Sequence, residues 1–299
     1  MKYAIELLLS LVITLAFISC HSDPSKYDFN EPSPEFKEHW FDGKAEVAVY
    51  NLSQSRYGEE RKGKATLIFV TEPFSRYKQV KIDHAEDAGN DKVNVMKLNF
   101  VKKFTTGVYP YSMMLSAFTP VELQKDSSTF KVSMSSQEWC GHTFAQLNLN
   151  HDKYKVSLFS YFETEGDEQV ETKKVMLEDE VWSRIRIDYE SLPQGEFEML
   201  PGLFYTRLQH KPLEPEVVNA SLIKDANSGL YKLEFEGRTL EIVFNLKFPH
   251  EITAWKETFV GRGGKQYTTS AQLDRKLFID YWTKNHNQDA YLRDSLNLN

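Results

Sequence analysis

Residues 44–52 read Lys-Ala-Glu-Val-Ala-Val-Tyr-Asn-Leu, and polar and apolar side chains alternate along them. Val47 and Val49 fall on one side of an extended chain, whereas Glu46 and Tyr50 fall on the other. Successive side chains of a strand point to opposite faces of a sheet, so this period of two predicts a β-strand. Residues 64–71, Lys-Ala-Thr-Leu-Ile-Phe-Val-Thr, predict a second and more apolar strand after it.

The same period continues through most of the chain and predicts a mainly β fold. Turn residues such as those at 150–152, 193–195 and 261–264 separate the candidates, which favours an antiparallel meander. The many aromatic residues, 20 Phe and 15 Tyr, suit a half-buried pleated surface. The further strand candidates are Tyr77–Ile82, Lys92–Phe100, Val108–Phe118, Thr129–Met134, His142–Leu149, Tyr154–Glu163, Glu196–Leu200, Phe204–Gln209, Leu230–Glu236, Thr239–Asn245, Glu251–Val260 and Tyr267–Ile279.

Two stretches have helical spacing instead. In residues 175–187, Leu177, Val181 and Ile185 recur at steps of four, with acidic residues early and arginines late, as the helix dipole favours. Residues 287–299 predict a short capping helix. We therefore expect a curved antiparallel meander sheet with one helix packed on its concave side and a short C-terminal helix. A half-barrel and a distorted barrel both fit this pattern.

The first twenty residues have the form of a targeting segment. Lys2 precedes an apolar core over 7–18 that is too short to span a bilayer but typical of a secretory signal. The end of the segment, Phe17-Ile18-Ser19-Cys20, resembles the lipobox of bacterial lipoproteins, with Phe17 where leucine is usual. The resemblance implies cleavage before Cys20 and a diacylglycerol on its sulfur, and we expect palmitate to label it. An ordinary signal peptide and an uncleaved anchor are the alternatives.

Charge and composition describe a water-facing body on a membrane tether. The net charge is −7, and 41% of the residues are hydrophobic. The basic clusters at 61–64 and 102–103 are too short to form a phosphate-binding stripe, so we expect no nucleic-acid partner. We expect the protein at the cell membrane or outer membrane, facing the periplasm or the cell surface. The predicted organisation is a lipoprotein signal peptide (1–19), a lipidated tether (20–35), an antiparallel β domain (36–283) and a C-terminal helix (284–299).

One interior cysteine raises the question of catalysis. If Cys20 carries lipid, Cys140 has no partner for a disulfide within the chain. In an extended strand Cys140 and His142 would face the same side, and a histidine beside a thiol can make it nucleophilic. A cysteine-dependent hydrolase or transferase is therefore one hypothesis. Free cysteines are more often buried, so we favour a core in which Cys140 and Phe144 pack together, and we predict no catalytic residue.

The remaining motifs point to binding more than to chemistry. The eight histidines show no metal-ligand spacing, and we expect no metal and no cofactor. For the least polar stretch, residues 106–121, we favour a central strand buried on both faces, with an apolar ligand surface as the alternative. The residues of that candidate surface are Tyr109, Tyr111, Met113 and Phe118.

Longer segments carry a family resemblance. Together they resemble a family of uncharacterised bacterial lipoproteins, some of whose members have been named septum formation inhibitor Maf by automatic transfer. Maf proteins are nucleotide pyrophosphatases with a Ser-x-Arg-Arg motif in an α/β fold, and Ser53-Gln54-Ser55-Arg56-Tyr57 breaks that motif. The alternating strands also look like envelope half-barrels that hold a lipid or acyl chain. The segments that carry the family resemblance are 40–50, 55–59, 68–75, 97–100, 106–114, 135–144, 160–167, 200–210 and 248–259.

The sequence thus predicts a lipid-anchored β-protein of the cell envelope that acts as a non-catalytic binding or scaffold module. Its expected partners are the membrane, through the N-terminal lipid, and either an apolar ligand or another envelope protein.

Overall fold

A computed structural model describes residues 31–122 and 127–298. Within these ranges the chain forms fifteen strands and four α-helices, joined by turns and short 3-10 segments. The strands are β1 (Ala45–Arg56), β2 (Glu59–Ser75), β3 (Lys92–Thr106), β4 (Tyr109–Pro120), β5 (Lys131–Glu138), β6 (Gly141–Asn150), β7 (Lys153–Ser160), β8 (Glu168–Lys173), β9 (Met176–Leu177), β10 (Gly195–Leu200), β11 (Glu216–Lys224), β12 (Ser228–Phe235), β13 (Arg238–Asn245), β14 (Ile252–Val260) and β15 (Gln266–Ile279). The helices are α1 (Pro34–Trp40), α2 (Glu178–Asp188), α3 (Leu203–Gln209) and α4 (Tyr291–Ser295).

All fifteen strands belong to one sheet, with β1 near its middle. From β1 the chain runs outward through successive hairpins to β8 at one edge. It then starts again at the other edge with β9 and returns through β10 to β15, which pairs with β1. Neighbouring strands are antiparallel except for β9 and β10, which are parallel. The predicted mainly β fold is confirmed, and the sheet is not closed into a barrel.

The two edges of the sheet come close together at one point. β8 ends at Lys173 and β9 begins at Met176, so three peptide units of at most about 11 Å join them. No strand pairing within the described residues closes the rest of the gap, and α3 with the segment 210–214 lies beside β8 there. We call this gap the seam.

Helix α2 lies inside the curve of the sheet, as predicted. Val181 and Ile185 are completely buried in the main core. The ring of Trp182 lies 5.1 Å from that of Phe100 on β3 and 5.3 Å from that of Trp255 on β14. The helix therefore packs against strands from both halves of the sheet.

A buried ion pair fixes the C-terminal half of α2 to the central strand. Arg186 donates two hydrogen bonds to the carboxylate of Glu46, of 2.5 and 2.8 Å, and a third of 2.8 Å to the carbonyl of Pro249. Its guanidinium also lies 5.2 Å from the ring of Trp40 and 4.9 Å from that of Phe69. Both charged groups are buried, so each depends on the other for its hydrogen bonds.

The outer face of β1 has a cover of its own. Val47 and Val49 form a small core with Leu296, which follows α4. Glu46 and Tyr50 lie on the inner face, so the two faces predicted from residues 44–52 are confirmed. The central strand is buried on both sides because α2 covers one face and the C-terminal segment covers the other.

The ends of the curved sheet differ in what they carry. The turns at 57–58, 107–108 and 139–140 and the connection 161–167 lie at one end, together with α3. We call it the α3 end; there Arg56 donates a hydrogen bond to the carbonyl of Leu208. At the opposite, α1 end, Thr71 donates a hydrogen bond to the carbonyl of Trp40.

Two predicted strands are wrong. Tyr77–Ile82 is a turn with one isolated bridge, because Gln79 adopts a positive φ and its buried amide donates a hydrogen bond to the carbonyl of Leu149. Phe204–Gln209 belongs to α3. Phe204 and Leu208 are both buried, and a spacing of four residues fits a helix as well as a strand.

We expect Arg186→Met to lower the free energy of unfolding by about 3–5 kcal/mol, because it leaves the Glu46 carboxylate buried without its partner. The double variant Glu46→Leu with Arg186→Met removes both charges and should recover most of that loss. Urea denaturation of the three proteins measures the difference. Equal destabilisation by the single and double variants would show that packing, and not the ion pair, holds α2 here.

Candidate functional site

The seam opens into a cleft of about 480 Å³. Its floor is the inner face of β5 to β8, and its opposite wall is α3 with the segment 210–214. The volume lies in the usual range of small-molecule sites, about 300–1,000 Å³. Apolar side chains from both walls line it: Met134, Ala145, Val156, Leu158, Val170, Leu203 and Leu213.

The course of α2 explains why this part of the inner face is left open. α2 packs against β3 and β4 and covers their inward side chains. On β7, Val156 and Leu158 alternate inward in the same way, but their neighbour is the cleft. The sequence pattern of a half-buried strand therefore predicts an inward face without showing whether a helix or a cavity covers it.

One carboxylate organises the rim of the cleft. Arg207 Nη1 lies 2.6 Å from both oxygens of Glu165, and His210 Nδ1 lies 2.7 Å from Oε1. The hydroxyl of Ser160 donates a further hydrogen bond of 2.6 Å. Burial opposes ionisation of Glu165, but these hydrogen bonds and the charge of Arg207 outweigh it, so its pKa lies below its usual value. The rim is therefore an ionised, hydrogen-bonded cluster beside an apolar floor.

Helix α3 is held by an acidic side chain at each end. At its start, the backbone N–H of Leu203 donates a hydrogen bond of 3.0 Å to Asp179. Gly202 precedes it, and a Cβ there would lie 2.6 Å from Glu178, which explains the glycine. At its end, Glu165 binds Arg207 and His210, and His210 has the left-handed conformation of a helix C-terminus.

A second group of charges lies behind α3, away from the cleft. Arg238 donates hydrogen bonds of 2.5 and 2.6 Å to Glu178 and one of 2.7 Å to Glu257. The ammonium of Lys102 lies 5.3 Å from the ring of Phe100 and 5.1 Å from that of Phe204. We call Lys102, Glu178, Asp179, Arg238 and Glu257 the charge cluster; the space among them is about 30 Å³. That space can hold a water molecule but is too small for an organic substrate.

Burial shifts the pKa of two members of the charge cluster. Burial and the neighbouring Glu178 raise the pKa of Asp179 to about 8. Burial lowers the pKa of Lys102, against the attraction of Glu257 and Glu178. Shifts of this kind also occur at catalytic sites. Here the enclosure of the cluster and the bond from Asp179 to α3 give it a structural role.

The interpretation of Cys140 as a core residue is wrong. Cys140 and Trp139 form the two-residue turn between β5 and β6, and the thiol is exposed. Phe144 is also outside the core, with 38% of its surface exposed, and His142 lies on β6 opposite Gln137 without a hydrogen bond to the thiol among the described contacts. The hydrogen bond and negative charge of Glu138 raise the pKa of Cys140. A raised pKa works against a nucleophilic thiolate.

The predicted apolar surface on β4 does not form one surface. Tyr111 and Met113 are buried in the main core, and the hydroxyls of Tyr109 and Tyr111 lie 3.3 and 2.8 Å from that of Tyr57. Phe118 points to the opposite face, where it stacks on Phe74. The favoured prediction of a strand buried on both faces is also wrong, because β4 alternates between buried and more exposed side chains.

Other features of the described residues give weaker evidence of a functional site than the cleft does. A larger hollow of about 710 Å³ is a shallow groove on the outer face of β13 to β15, with charged side chains such as Lys62, Glu241 and Lys256 along it. No group of three His, Cys, Asp or Glu side chains in residues 31–122 and 127–298 is placed to hold a metal ion. No helix in these ranges is long and apolar enough to cross a membrane. The lipidation site predicted at Cys20 lies outside them.

Comparison with known proteins adds no assignment. No family model, no curated protein and no solved structure matches this chain. The family resemblance of the sequence segments stays a prediction, and the cleft is the site on which a function can be argued.

We expect Asp179→Asn to remove a pH dependence of stability. The carboxyl holds its proton up to about pH 8 in the folded chain but only to about pH 4 when unfolded. In this window the folded chain keeps a proton on Asp179 that the unfolded chain has lost, so the contribution of this group to stability falls as pH rises from about 4 to about 8. The amide of the variant cannot ionise but can still accept the hydrogen bond of Leu203. The free energy of unfolding of the variant, relative to the parent, should rise by roughly 1.4 kcal/mol per pH unit across this window, as measured by denaturation curves. Parallel plots of stability against pH for the two proteins would contradict this prediction.

We expect the thiol of Cys140 to react with Ellman's reagent in the native protein, because it is exposed. The reaction should be slow at neutral pH, since Glu138 raises the thiol pKa, and Glu138→Gln should accelerate it. Cys140→Ser gives the background rate. A rate that falls in His142→Ala but does not change in Glu138→Gln would favour the cysteine–histidine hypothesis instead.

Proposed function

We propose that the protein is a lipid-anchored binding protein of the cell envelope that holds an apolar ligand in the seam cleft. The observation that carries the proposal is the cleft itself: about 480 Å³ with an apolar floor at the unclosed edge of an otherwise packed sheet. A closed sheet would bury these side chains against each other. At the seam Leu158 and Leu213 are only partly buried and Val170 is exposed, so a ligand can reach them.

The chemistry of the walls limits the class of ligand. The floor residues Met134, Val156 and Leu158 offer no hydrogen-bond partner, so the bound part of the ligand is a hydrocarbon group. The rim carries charges of both signs, and Lys211 and Glu168 also line the cleft. This arrangement fits an amphipathic molecule, such as a fatty acid or an acylated molecule, whose chain lies on the floor and whose polar end stays at the rim.

The N-terminal sequence supports the location. A signal-like segment that ends in Cys20 would place the body on an envelope membrane, where acyl chains are abundant. The exposed thiol supports an enzyme less well, because Glu138 disfavours the thiolate. The proposal therefore retains a binding role without catalysis.

A pair of variants on one strand tests the cleft. Leu158→Trp places a bulky ring on the cleft floor, whereas Phe159→Trp places the same ring on the outer face of β7. Displacement of a fluorescent fatty acid by palmitate, in the full chain, measures affinity. We expect Leu158→Trp to weaken binding about tenfold or more, which is roughly 1.4 kcal/mol, and Phe159→Trp to leave it unchanged.

Urea denaturation of both variants controls for folding. No binding by the parent protein, or equal binding by both variants, would contradict the proposed cleft. Native mass spectrometry of gently purified protein provides a second measurement: co-purified lipid should be present in the parent and lost in Leu158→Trp. A tightly bound protein in place of lipid would indicate the scaffold role.

A further inference from the structure

The α3 end of the sheet carries large apolar side chains in water. Four residues at or beside its turns are far more exposed than is usual for their type: Tyr57 (59%), Val108 (80%), Trp139 (70%) and Tyr161 (71%). They come from four different connections, namely β1–β2, β3–β4, β5–β6 and β7–β8. We call these four residues the tip patch.

Contacts made by Tyr109 and Gly141 bring the members of the tip patch close together, and Val108 directly precedes Tyr109. Tyr109 links two of its members: its ring lies 6.4 Å from that of Trp139, and its hydroxyl lies 3.3 Å from that of Tyr57. The ring of Tyr161 lies against Gly141, directly after the Trp139–Cys140 turn. Single exposed apolar residues are common on proteins, but contiguous ones mark an interaction surface.

The tip patch also leads to the rim of the cleft. Phe162 follows Tyr161. The centre of its ring lies 4.5 Å from the guanidinium carbon of Arg207 and 6.0 Å from the centre of the His210 ring. Arg207 and His210 are the rim residues that bind Glu165. A surface that meets the tip patch is therefore beside the entrance of the cleft.

We propose that the tip patch docks on a phospholipid bilayer, so that an acyl chain can pass between the bilayer and the cleft. This inference deepens the proposed function and rests on it. Tryptophan and tyrosine are enriched at membrane interfaces because one part of each ring is apolar and another is polar. Hairpin tips of this kind can enter the headgroup region while the sheet stays outside.

The length of the N-terminal segment allows this orientation. The tip patch and α1 lie at opposite ends of β2, and the part of β2 between Glu59 and Thr71 is about 40 Å long. Fully extended, the chain from Cys20 to Ser33 spans at most about 45 Å. A lipid on Cys20 and the tip patch can therefore reach the same bilayer, with the strands directed away from it and the α1 end outside it. This common reach favours a bilayer over a protein as the partner of the patch.

Tryptophan quenching by brominated phospholipids tests the orientation in the full chain, reconstituted into phosphatidylethanolamine–phosphatidylglycerol vesicles. Trp139 and Trp282 are the exposed tryptophans of the described residues, and they lie at opposite ends of the sheet. Trp282→Phe leaves Trp139 as the exposed reporter, and Trp139→Phe leaves Trp282. We expect brominated lipid to quench the emission of Trp139 in the Trp282→Phe variant and to leave the emission of Trp282 in the Trp139→Phe variant unchanged.

Quenching of Trp282 alone, or of neither residue, would overturn the proposal. If neither tryptophan is quenched and a protein cross-links to the tip patch, the partner is a protein. The ligand measurement stays separate: Trp139→Ser with Tyr161→Ser should slow transfer of a fluorescent fatty acid from vesicles several-fold, without changing its affinity in solution. Loss of affinity in Leu158→Trp concerns the cleft alone, so failure of docking and failure of ligand binding are distinguishable.

Discussion

The fold depends on the enclosure of a charged helix by a sheet. α2 carries Glu178, Glu180 and Arg186 into the interior, where an unpaired charge would cost several kcal/mol. Glu178 pairs with Arg238 on β13, and Arg186 pairs with Glu46 on β1. Glu180 accepts the backbone N–H of Thr129 and lies beside Arg184. Other positions of the helix in the sheet would leave these groups without partners. The ions therefore select the position of α2, while apolar burial supplies the driving force.

The same enclosure explains why the sheet stays open. The path of the chain through the sheet places the polar strand β8 at one edge and the two-residue strand β9 at the other. Edge strands that are short or highly charged resist pairing with other strands. Beside β8, α3 and the segment 210–214 occupy the place that another strand would take. The cleft follows from this substitution, because a helix packed against a sheet edge does not fill the pleated inner face as a hydrogen-bonded strand would.

The sequence predicts the sheet and α2 correctly because both depend on local periodicity. It also assigns Glu46 and Tyr50 to one face, but Arg186, the partner of Glu46, is 140 residues away, and no local pattern reveals it. In the sequence, the acidic start of α2 suggests an interaction with the helix dipole. In the structure, these acidic residues pair with specific charged side chains and backbone groups. For Cys140 the general tendency of cysteine to be buried gives a wrong prediction. The residue lies in a two-residue turn, which exposes it to water. Lys102 belongs to a short basic pair in the sequence, yet the aromatic side chains around it bury it.

Helix α3 connects the closed and the open parts of the interior. One side of it covers the charge cluster, through Phe204 and Tyr205, and the other side forms the wall of the cleft, through Leu203 and Arg207. The seven residues of α3 are too few to be stable alone, so the helix depends on its attachments. Two of these are the carboxyl groups of Asp179 and Glu165, whose pKa values are shifted in opposite directions. Ionisation of Asp179 would add a charge to a buried cluster, whereas protonation of Glu165 would remove one from the rim. The wall of the cleft is therefore best held between these two titrations, where Asp179 is neutral and Glu165 is ionised.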